Sequence, residues 1–66
     1  MSGREELLSL ESAITAIEEA VQAVSREVER GRLSDASIAR LSRVEAELNR
    51  SRLTLEKILR EEASRG

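Results

Sequence analysis

Carboxylates offer the first candidate chemistry in this chain. Glutamates are plentiful early in the sequence, at Glu5, Glu6, Glu11, Glu18 and Glu19. Helical bundles that hold a di-iron centre combine inward glutamates with Glu-x-x-His pairs, and this chain contains no His and no Cys. Imidazole and thiolate ligands are therefore excluded. We expect these glutamates to form a solvent-exposed face, with no metal and no other cofactor.

Hydroxyl groups are the second candidate. A nucleophilic Ser needs a base within reach, and the single Lys, Lys57, falls on the far face of the helix that would carry Ser51 and Thr54. We expect no catalytic residue and no enzymatic activity. Ser51 interrupts an apolar row, where two interpretations stay open. It joins a buried hydrogen-bond network that fixes register, or it bonds back to the i−4 carbonyl of Glu47.

Arginines could form a phosphate-binding stripe, but the charge pattern argues against one. The formal net charge is −2, and there is no aromatic residue on which a base could stack. Glutamates interrupt the arginines along the outer side of the second half of the chain. We expect no nucleic-acid partner and no small-molecule ligand. The arginines concerned are Arg40, Arg43, Arg50 and Arg60.

The length and hydropathy of the sequence limit the classes of protein to which the chain can belong. Sixty-six residues allow one small domain, residues 1–66. No apolar run approaches the roughly 20 residues of a membrane span, and no basic segment precedes an apolar one as in a signal peptide. We expect a soluble protein without a membrane partner. It would be cytoplasmic if natural or recombinantly expressed.

Helix formers dominate the composition, and breakers are rare. There is no Pro, and the three Gly stand at positions 3, 31 and 66, so Gly31 is the one interior breaker. The sequence predicts an all-α antiparallel helix-loop-helix hairpin. Its first helix spans about 4–30, the turn 31–34, and the second helix about 35–63.

Local signals favour this turn. Gly31 suits the left-handed residue after a helix, and Ser34 suits the N-cap of the next. Asp35 follows in the first turn, where a negative charge is favourable. Leu33 and Ile38 are spaced for a hydrophobic staple. At the other end of the first helix, Ser2 and Glu5 match a capping box.

The first helix carries an unbroken heptad pattern. With Ile14 at position a, alanines occupy the neighbouring positions g and c, so the apolar arc is wider than one antiparallel partner covers. We therefore predict that this helix touches two neighbours. The a and d residues are Leu7, Leu10, Ile14, Ile17, Val21, Val24 and Val28, and the alanines are Ala13, Ala16, Ala20 and Ala23.

The second helix continues the a/d pattern with Leu41, Val44, Leu48, Leu55 and Ile58, and Ser51 takes a d position between them. Position e holds Ile38 and Leu59 at the two ends, with Glu45 and Arg52 in between. Glu18, Glu45 and Arg52 border the apolar rows. They form ion pairs that set register between chains, or they extend their charged ends into water.

Outer positions of the second helix predict ion pairs and one further surface. Helical spacing pairs Arg43 with Glu47, Glu56 with Arg60, and Lys57 with Glu61. Ala39, Ala46 and Leu53 align at position f, which faces water or forms a minor second contact surface.

Two resemblances follow from these segments. The Met1-Ser2-Gly3 start, the heptads, the compact turn and the lack of Pro, Cys, His and aromatics resemble computationally designed helical hairpins. Such designs are usually homo-oligomers. The segments 4–8, 28–31 and 45–59 are similar to small hairpin co-chaperones of type III secretion needle subunits. That similarity implies a partner helix held in a groove of the first helix.

We therefore predict a self-assembling module that associates through the heptad pattern and the alanines of its first helix. The first choice is a homodimer that forms a four-helix bundle, and the second is a tetramer or larger ring. The alternative is a heteromeric coiled-coil adaptor or secretion co-chaperone. The predicted interface comprises Leu10, Ala13, Ile14, Ala16, Ile17, Ala20, Val21, Ala23, Val24 and Val28.

Overall fold

Two α-helices pack side by side in the computed structural model, which describes residues 3–65. They are α1 (Gly3–Arg30) and α2 (Asp35–Arg65). No strand occurs within these residues, so the all-α helix-loop-helix hairpin is confirmed. α2 extends to Arg65 rather than to about Ala63, because its last residues contain no Gly or Pro.

The hairpin is a thin rod. Its Cα atoms extend over 48 × 14 × 13 Å, and the radius of gyration is 15.2 Å. A compact domain of this length would have a radius of gyration of about 11 Å. Two helices alone touch along one line, so most side chains keep at least one side toward water.

The residues that favoured a turn in the sequence form the turn in the structure. Gly31 has φ +65°, and its N–H donates to the Val28 carbonyl at 3.2 Å, which ends α1. Ser34 caps α2, because its hydroxyl oxygen accepts the Ser37 N–H at 3.2 Å. The Ile38 N–H donates to the Ser34 carbonyl at 2.9 Å. The capping box at Ser2 lies outside the described residues.

Gly31→Ala should lower the free energy of unfolding by about 1 kcal/mol, since an L-residue is strained at positive φ. A Cβ at this position would meet no atom within 4 Å, so the cost is in the backbone alone. Gly31→Asn is the control, because Asn tolerates this conformation better and should cost less. Urea denaturation of the three proteins measures both values. Equal stability of the Ala variant and the parent would contradict the role given to Gly31.

None of the helices described within residues 3–65 is both long enough and apolar enough to cross a membrane.

Candidate self-association interface

The inward surface of α1 is centred on Ile14. Ile14 is 8% exposed and is the one buried side chain among residues 3–65. The other a and d residues of α1 are half-buried against α2. The a and d residues of α1 therefore pack inside the hairpin. Only the alanine flank beside them remains available for contact with a second chain. The half-buried residues are Leu7, Leu10, Ile17, Val21, Val24 and Val28.

The inward surface of α2 differs from the prediction. Positions a and e face α1, whereas the prediction assigned this role to positions a and d. Val44 and Ile58, at position d, remain 40% and 37% exposed, and Ser51 is exposed as well. The expected a/d contact of α2 with α1 is thus wrong, and Ser51 does not lie in the contact between the two helices. The half-buried apolar residues at a and e are Ile38, Leu41, Leu48, Leu55 and Leu59.

Two physical reasons favour this rotation of α2. The connection between Arg30 and Asp35 is short, which holds Ile38, in the first turn of α2, close to α1. Turning e rather than d inward also buries Ile38 and Leu59, whose side chains are as large as or larger than those of Val44 and Ile58. The rotation brings Glu45 and Arg52 toward α1, so their charges need partners.

Both charges find partners on one side of the hairpin. The Ser25 hydroxyl of α1 donates to Oε2 of Glu45 at 2.7 Å. Arg52 Nη1 donates to Glu56 Oε2 at 2.9 Å, and both side chains are half-buried. Glu18, the other charged residue predicted to border the apolar rows, is exposed. We call the side that carries Ser25, Glu45, Arg52 and Glu56 the polar side.

Ser25→Ala should lower the free energy of unfolding by about 1 kcal/mol relative to Ser12→Ala, because it leaves a half-buried carboxylate without its hydroxyl donor. Ser12 lies on the same helix and is exposed, so both variants share the gain in helix propensity that Ala brings. Chemical denaturation of the pair measures the difference. If both variants are equally stable, the bond between Ser25 and Glu45 does not contribute.

Ion pairs among residues 3–65 also differ from those predicted. They join Arg30 to Glu27, Arg52 to Glu56, and Arg65 to Glu62, whereas Arg43, Lys57 and Arg60 were expected to pair. A surface charge on a helix has several partners at similar energy, so spacing alone does not select one. One interpretation of Ser51 was a hydrogen bond from its hydroxyl to the carbonyl four residues earlier. A bond of this kind occurs at Thr54, whose hydroxyl donates to the Arg50 carbonyl at 3.1 Å.

The opposite side of the hairpin is apolar. Ser25 and Glu45 both occupy position e, and their bond places the e positions of the two helices on one side. In an antiparallel pair the other flanks, g and c of α1 and d of α2, then lie together on the other side. Ala16 and Ala23 are exposed there, and Ala13 and Ala20 are half-buried. We call this surface, formed by Ala13, Ala16, Ala20, Ala23, Val44 and Ile58, the open face.

The sequence predicted the four alanines as a surface for a second neighbour, but it did not place the exposed Val44 and Ile58 beside them. Both were assigned to the contact inside the hairpin because position d of α2 carries one Ser between them, whereas position e carries Glu45 and Arg52. The available signal was the pair Ile38 and Leu59 at the two ends of position e, which give α2 apolar side chains on both flanks of position a. Because α1 contacts only one flank of α2, the apolar residues on the other flank stay exposed.

The open face contains no group suited to bond-making chemistry. The side chains that define it are methyl, isopropyl and sec-butyl groups, which bury surface without hydrogen bonding. Ser51, exposed at position d between Val44 and Ile58, adds one hydroxyl, and the chain has no His to serve as its base. Across residues 3–65, no group of three or more His, Cys, Asp or Glu could hold a metal ion. What this arrangement can do is exclude water against another apolar surface.

No protein-family model, curated protein or solved structure matches the chain.

Proposed function

We propose that this chain is a self-assembling structural module without catalytic activity. The observation that supports this proposal is the burial of a single side chain, Ile14, among residues 3–65. Even a full core in so short a chain rarely yields more than about 3–5 kcal/mol. The chain has no Cys and no His, so disulfides and the commonest metal sites are excluded as a second source of stability. Association is the remaining route, because it removes further apolar surface from water.

A homodimer is the preferred assembly. Two hairpins with heptad packing form a four-helix bundle, the smallest assembly in which each helix has two neighbours. The resemblance to designed hairpins, which are usually homo-oligomers, favours the same conclusion. A tetramer or larger ring would need a second contact surface. The row of Ala39, Ala46 and Leu53, which is exposed, is the candidate for it.

Thermal unfolding at several protein concentrations tests the proposal. If folding is coupled to association, the unfolding midpoint rises with protein concentration. Circular dichroism over a hundredfold range of concentration measures this dependence. A cooperative transition with the same midpoint at every concentration would contradict self-assembly.

The adaptor alternative predicts a different result in the same experiment. A hairpin whose apolar surface waits for a partner's amphipathic helix should be a monomer, or a loose oligomer of low stability, when pure. Its transition would be broad and would not lead to a single defined mass. A sharp, concentration-dependent transition would therefore count against the adaptor function.

A further inference from the structure

We infer that the open face is covered by the open face of a second copy, with α2 of each chain packed on α1 of the other. This inference rests on the proposed function and adds to it which side of the hairpin is buried and how the two copies are oriented. It predicts a two-fold axis parallel to the helices, so that the same surface of each chain meets the other.

The exposed area of the hairpin matches one missing interface. A compact monomer of 7.3 kDa would expose about 4,200 Å², whereas the hairpin exposes 5215 Å². The excess of about 1,000 Å² is close to the roughly 800 Å² that each partner buries in a standard interface. A second hairpin has the same 48 Å length, so it covers the open face from end to end.

The shape of the open face favours a second copy as the occupant. α1 contributes alanines, which leave shallow depressions, and α2 contributes Val44 and Ile58, which project and are 40% and 37% exposed. Large side chains packed over small ones fill the space between helices. One surface that carries both is complementary to itself when α2 lies over α1. Pairing α1 with α1 would set alanines against alanines, and it would place the large side chains of one α2 against the other α2.

Single cysteines test the orientation, since the chain has none of its own. Rotation about a two-fold axis parallel to the helices keeps each residue at the same height along the bundle. The Ser25–Glu45 bond therefore sets Ala23 of one copy near the height of Val44 of the other. Ala23→Cys and Val44→Cys are purified separately, then unfolded and refolded together, and oxidised. Non-reducing electrophoresis measures the fraction of covalent dimer, and each variant oxidised alone is the control.

The mixture should give roughly tenfold more covalent dimer than either variant alone, because only facing positions bring two Cα atoms within the span of a disulfide. Efficient cross-linking of either variant with itself would overturn the inferred orientation. An absence of covalent dimer in all samples, although the unmodified chain has the mass of a dimer, would overturn the use of this face. A monomeric mass for the unmodified chain would instead refute the proposed function.

Discussion

Ala23→Glu should dissociate the assembly. Ala23 is exposed in the hairpin, so a glutamate there costs the monomer little. In the dimer, each copy would place one carboxylate against an apolar surface, and an unpaired buried charge is strongly unfavourable. We expect the dissociation constant to rise at least about a hundredfold, which corresponds to roughly 3 kcal/mol. Sedimentation equilibrium of the variant and the parent measures the change.

Gln22→Glu is the matched control for this variant. Gln22 is the adjacent residue on α1, is also exposed, and at position b points away from the open face. The Gln22→Glu substitution adds the same negative charge to the same turn of α1, so any general effect of charge appears in both variants. Ala20 is less suitable for this test because it is already half-buried inside the hairpin. If Ala23→Glu keeps the mass of the parent, the open face is not the interface.

Ile14→Ala should unfold the hairpin. Ile14 is the one side chain among residues 3–65 that the two helices bury, at 8% exposure. Truncating a buried Ile to Ala costs about 2–5 kcal/mol, a large fraction of the stability of so short a chain. We expect a substantial loss of the far-ultraviolet helical signal at room temperature, or a midpoint of urea denaturation close to zero.

Leu8→Ala provides the comparison for Ile14→Ala. Leu8 lies on the same helix and is 55% exposed, so its truncation removes a similar volume without opening a cavity. It should change the free energy of unfolding by less than about 1 kcal/mol. Equal destabilisation by the two variants would show that the contact between α1 and α2 is not centred on Ile14.

The sequence predicted the parts of this fold that depend on local chemistry. Gly31 ends α1 because it tolerates positive φ, and Ser34 starts α2 because its hydroxyl satisfies a free backbone N–H. Both effects act within a few residues and need no knowledge of the partner helix. The two helices and their antiparallel connection follow from them.

The rotation of α2 about its axis could not be predicted in the same way. The row from Val44 to Ile58 contains one Ser, whereas the row from Ile38 to Leu59 contains Glu45 and Arg52, so hydropathy alone favours the row that the structure leaves exposed. The choice between them depends on the short connection and on the bond between Ser25 and Glu45, two residues that are 20 positions apart in the sequence. The composition of the open face depends on this choice, so the contribution of α2 to that face became visible only in the structure.

The mass of the pure chain in solution, measured by sedimentation equilibrium over a range of micromolar concentrations, tests self-assembly most directly. The proposed homodimer predicts a single species of twice the 7.3 kDa chain mass that dissociates on dilution. A stable, cooperatively folding species of 7.3 kDa at every concentration would contradict it, because the hairpin would then be stable with its open face in water.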